Sequence, residues 1–83
     1  MDKEKLIFEK SAFDAYDAQR LVFESCRFKS ETTIENGTKR ANAKSIIGVL
    51  SMKFAKGDEL IVSAEGEDSK EAIKGLMLFF KNL

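Results

Sequence analysis

An 83-residue chain is long enough for one domain around a single modest core, and its 14 basic and 14 acidic side chains cancel to a formal net charge of zero. No field of one sign draws in nucleic acid or an anionic membrane, and apolar runs of only a few residues exclude a membrane span. There is no histidine and one cysteine, Cys26, which removes histidine metal ligands, histidine general bases, phosphohistidine chemistry and any internal disulfide.

Residues 1 to 8 (MDKEKLIF) lack the apolar centre of a signal peptide, so a cytoplasmic location is expected. A first strand is predicted in KLIFEKS (5 to 11). From Phe13 to Arg27 the spacing turns helical: Ala18, Leu21, Val22 and Ser25 recur at i, i+3, i+4 and i+7 and form a narrow buried face. ETTIENGTKRAN (31 to 42) places β-branched residues around Asn36-Gly37, the dipeptide that supplies the positive φ angles of a type I′ hairpin. Ser45 to Met52 forms a short helix with Ser45 as its N-cap. KGDELIVSAEGED (56 to 68) is a turn, a strand through Leu60, Val62 and Ala64, and a second turn. Asp68 and Glu71 then form a capping box for a last helix with Ile73, Leu76, Met77 and Phe80 on one face. The implied class is α+β, an open-faced sandwich with helices on one face of a small antiparallel sheet.

Residues 36 to 72, NGTKRANAKSIIGVLSMKFAKGDELIVSAEGEDSKEA, resemble HPr, the small phosphocarrier of the bacterial sugar phosphotransferase system, and its regulatory paralogue Crh. The Asn-Gly hairpin, NAKSIIGVLS, the KGDEL turn and the EGEDSKEA helix start fall in the family's order and spacing without a gap. The resemblance implies a single HPr-like domain over residues 1–83, with a four-stranded antiparallel sheet and three helices on one face. It implies no cofactor and no catalytic activity of the chain's own.

Family members carry a phosphoryl group on a histidine in a Gly-(Ile/Leu)-His-Ala-Arg-Pro-Ala pattern before the first helix. Counted back from Ser45, that pattern falls on residues 12 to 18, which read AFDAYDA. Only Ala15 and Ala18 survive. Asp14 stands in the histidine position, Tyr16 in the arginine position and Asp17 in the proline position. Two carboxylates at a helix start would occupy its amides and repel phosphate, so histidine phosphocarrier activity is expected to be absent. Asp14 has three open readings: a helix-start residue matched to the dipole, a permanent negative charge imitating a phosphorylated site, and an aspartyl-phosphate acceptor.

Ser45 matches the serine that a dedicated HPr kinase phosphorylates in Gram-positive members, and Ile46, Ile47, Gly48 and Leu50 match the apolar surface around it. It reads either as a plain N-cap or as a regulatory phosphorylation site. Val49 and Met52 are spaced to point inward, which leaves Ile47 and Leu50 beside Ser45 as a docking patch. Tyr16, Arg20, Phe23 and Arg27 recur at i, i+4, i+7 and i+11 on a second face of the first helix. That stripe is either a binding face of hot-spot residues or amphipathic packing in which arginines cover rings. The leading expectation is a non-carrier regulatory or adaptor protein that binds through residues 16 to 27 and 45 to 52. Its partners would be an HPr kinase-like enzyme, a transcription regulator or phosphotransferase-system proteins, with no direct nucleic acid or membrane contact. The alternatives are a residual phosphotransferase component using Asp14 and a plain interaction domain with neither switch.

Overall fold

In a computed structural model, which describes residues 1–83, the elements run β1 (Asp2–Ile7), α1 (Ala15–Ser25), β2 (Glu31–Asn36), β3 (Lys39–Asn42), α2 (Ile46–Leu50), β4 (Glu59–Glu65) and α3 (Ser69–Lys81). The four strands form one antiparallel sheet in the order β1-β4-β2-β3. Strand side chains alternate between faces, and the inward face of β4 is apolar throughout. Leu60, Val62 and Ala64 of β4, Ile34 and Thr32 of β2 and Ala41 of β3 are buried together with Phe8 just beyond β1. The helices cover that face with Ala18 and Leu21 of α1, Val49 of α2, and Ala72, Ile73 and Leu76 of α3. This is the open-faced α+β sandwich, with a four-stranded sheet and three helices. Phe8, Phe13, Phe54 and Phe80 close one end of the core, with edge-to-face or tilted ring pairs 4.7 to 6.2 Å apart.

Three local expectations are corrected. Strand β1 lies at 2–7 instead of 5–11, because its partner in β4 ends at Glu59 opposite Ile7. The charged run Asp2–Lys5 concealed its start. The hairpin pairs Asn36 with Lys39, so its two loop residues are Gly37 and Thr38. Only Gly37 has a positive φ (62°), which is the arrangement of a type II′ turn and not of type I′.

The third correction concerns Asp68, which precedes α3 but makes no side-chain capping bond to it. Its carboxylate accepts instead from the Lys29 amide, the Ser30 amide (both 2.9 Å) and the Ser30 hydroxyl (2.5 Å), tying the α1–β2 loop to the start of α3. A tertiary set of three donors outcompetes a local cap. Gly66 belongs to the same junction: at φ 149°, a Cβ there would lie 2.8 Å from the Ser30 Cα.

The Ser30 and Lys29 hydrogen bonds lower the Asp68 carboxyl from 3.8 to about 2. A carboxyl depressed in the folded state stabilises it fully above the unfolded value, and that contribution disappears as pH falls through the folded one. We therefore expect wild-type stability to decline as pH drops from 3.8 toward about 2, with a shallower decline across the same window in Asp68→Asn. Urea unfolding at stepped acid pH measures the two slopes.

Candidate functional site

Helix α1 begins with amide groups that have no partner inside the helix. Asp14 is its N-cap, extended at φ −97° and ψ −178°, and its Oδ1 accepts the Asp17 amide at 2.9 Å. The Asp17 Oδ2 reaches back to the Asp14 amide at 3.3 Å, closing a reciprocal capping box built from two aspartates. Asp17 is 2% exposed and also accepts the Lys10 ammonium at 2.7 Å. Burial pushes its carboxyl up, but the Lys10 hydrogen bond, the Asp14 amide and the charge of Lys10 together hold it below its ordinary value.

Two carboxylates thus occupy the ground on which an anion would settle at a helix start. The one cation close by, Lys10, is already paired. Tyr16, in the expected arginine position, is 66% exposed and brings no charge. No group of three or more Cys, Asp or Glu side chains is disposed to hold a metal ion beside Asp14 or elsewhere.

The stripe on α1 is solvent-facing. Tyr16 and Phe23 are exposed, and Arg20 sits 5.7 Å from the Tyr16 ring centre and 5.5 Å from that of Phe79 on α3. Phe79 was missed by a reading of α1 alone, since only the packing of α3 against α1 brings it to Arg20. Arg27 pairs with Glu24 at 2.7 Å and lies 5.8 Å from the Phe28 ring centre, so it does not cover Phe23. A shallow hollow lined by Gln19, Arg20, Phe23, Glu24 and Phe79 results.

On α2, Ser45 caps the helix by accepting the Gly48 amide at 3.2 Å. Val49 and Met52 point inward, whereas Ile46 and Leu50 are exposed and Ile47 is 79% exposed. Helices α1 and α2 pack against each other, which places the two exposed sets on neighbouring helices.

A family model described as the PTS HPr component phosphorylation site matches residues 3–82. The HPr-like protein Crh of Halalkalibacterium halodurans is 35% identical over 81 residues, covering 98% of this chain and 96% of its own length. HPr from Thermoanaerobacter tengcongensis superposes with a TM-score of 0.91 at 32% identity, over 99% of this chain and 93% of that one. Crh of Bacillus subtilis, described as an intertwined dimer with a swapping domain, gives a TM-score of 0.79 at 32% identity over 99% and 94% of the two chains.

Replacing Lys10 tests the capping pair. In Lys10→Met the Asp17 carboxylate loses its cation while staying buried, and we expect a loss of about 1–2 kcal/mol at neutral pH, discounted because Lys10 is half-exposed. The stability that a depressed Asp17 contributes is present above the ordinary carboxylate range and lost on acidification. Without Lys10 the Asp17 carboxyl is less depressed, so the loss on acidification should be smaller than in the wild type, as denaturant midpoints measured at pH values through the carboxylate range would show.

Proposed function

Because the chain belongs to the HPr family, we propose that it is a regulatory or adaptor member that binds protein partners and does not carry phosphate. One observation carries this reading: where the family pattern has its histidine and arginine, Asp14 and Tyr16 stand, and Asp14 and Asp17, each accepting the other's amide, set two carboxylates at the α1 start where a phosphoryl group would arrive. An aspartyl phosphate at Asp14 would need counter-charge, and neither a third acid for a metal nor a free cation stands beside it. The chain is then a binding protein and at most a kinase substrate, not an enzyme.

The proposed binding face joins Tyr16, Arg20, Phe23 and Arg27 on α1 to Ile46, Ile47 and Leu50 on α2. Exposed aromatic, arginine and isoleucine side chains on adjacent helices support it. Ser45 is the proposed switch. A phosphate there would add about 1.5 to 2 negative charges beside Ile47 and Leu50 and could keep accepting the Gly48 amide that the hydroxyl now accepts. Helix α2 has only five residues, so any gain comes from these local amides and stays near the low end of about 0.3–1 kcal/mol.

Incubation with enzyme I, phosphoenolpyruvate and magnesium should leave the protein unlabelled, and Asp14→His should not restore transfer because Tyr16 and Asp17 remain. Stoichiometric label on the wild type, lost in Asp14→Ala, would favour the residual phosphotransferase reading instead. With HPr kinase we expect label on Ser45 and little change in thermal midpoint. An unlabelled chain favours the plain interaction domain.

Ile47→Ala should shift stability by no more than about 0.5 kcal/mol, as for other surface substitutions, and should slow phosphorylation by the kinase. A loss of about 2–5 kcal/mol would instead mark Ile47 as core.

A further inference from the structure

The edge of the sheet farthest from β3 carries a second feature. β1 is an edge strand, and between it and α3 runs a groove of roughly 980 Å³ floored by Leu6, Phe8, Ile73, Met77 and Phe80. Leu78 and Ile7 stand exposed at its margins. The Phe8 amide donates to the Asp58 carbonyl and its carbonyl accepts from the Gly57 amide, so the backbone of Phe8 faces β4. In an antiparallel ladder that direction alternates, which turns the N–H and C=O groups of Lys3, Lys5 and Ile7 outward, away from β4.

The rim carries one more free lysine than acids. Lys10 is held by Asp17, and Lys3, Lys70, Lys74 and Lys81, none of them in an ion pair, stand against Glu4, Glu9 and Asp2, which accepts the Ser69 hydroxyl.

We propose that the β1 edge and the α3 groove form a docking site for an extended segment of a partner protein with alternating acidic and apolar residues. Such a segment adds a fifth strand to β1. Its apolar side chains enter the groove beside Leu6, Met77 and Leu78, and its acidic ones face Lys3, which is unpaired, and Lys5, whose exposed 3.9 Å contact with Glu59 they would compete for. Charge selects this occupant over a second copy. The two antiparallel registers that overlap most of β1 with itself set Glu4 opposite Glu4 or Lys5 opposite Lys5, and like charges directly opposite are destabilising. The site lies on different elements from the α1–α2 face, so it stands or falls independently of the proposed Ser45 control.

The test is titration of isotopically labelled protein with a synthetic peptide of alternating glutamate and valine, followed by amide shifts. We expect shifts at Lys3, Lys5, Ile7, Lys74 and Leu78, slowed exchange of the Lys5 amide, and no response to the matching lysine–valine peptide. Lys5→Pro removes an outward donor while sparing the β4 ladder, as edge strands allow, and should abolish binding. Lys3→Glu combined with Lys5→Glu should weaken it about threefold to tenfold, and this variant serves if the proline chain does not fold. No shift at millimolar peptide, equal response to the lysine peptide, or β1 shifts that track self-association in sedimentation would overturn the proposal.

Discussion

Everything in this molecule hangs on β4. It is the strand bonded on both sides by partners distant in sequence, β1 and β2, and the one that sends Leu60, Val62 and Ala64 into the core. Removing one of these buried chains costs far more than any surface contact described above, since cavity and transfer losses combine. With β4 in place the remaining strands have only one face to bury. The three helices must lie on that face, and α1 and α2 are brought side by side as a result.

The chemistry of the α1 start follows from a constraint that every helix shares. Its first amides must find acceptors, and whichever acceptor is covalently present competes with any that arrives from solution. Here Asp14 and Asp17 are present at all times, with Lys10 balancing one of them. A family built around accepting a phosphoryl group at this point thus includes a chain in which two carboxylates stand at the helix start and pair two of its amides. What the fold still offers is surface: aromatic and aliphatic side chains on α1 and α2, and an apolar groove between β1 and α3.

Much of this was legible in the residues. Period-two burial identified β4, period-3.6 burial identified α1 and α3, and Ser45 announced α2 as a cap. Inward Val49 and Met52 and outward Ile47 and Leu50 followed from spacing alone. The misses share a cause, which is competition between local and distant partners. Asp68 has the composition of a cap, but three donors from the α1–β2 loop claim it. Asp14 and Asp17 are different: the sequence places their carboxylates on the helix-start amides, and their three-residue spacing gives that pairing its reciprocal form, a capping box. Lys10 and Phe79 could not be assigned from spacing, because each meets its partner only after a loop or another helix has packed.

The reciprocal bonds between Asp14 and Asp17, with Lys10 bound across them, also bear on how the surface meets a partner. A short loop that must be ordered on contact spends part of the interaction energy on its own immobilisation. Residues 10 to 17 are already tied at both ends and in the middle, and closing so few residues carries a small entropic penalty. Tyr16 is therefore presented from a pre-organised frame, and a partner gripping it as proposed would lose little affinity to stiffening the chain beneath.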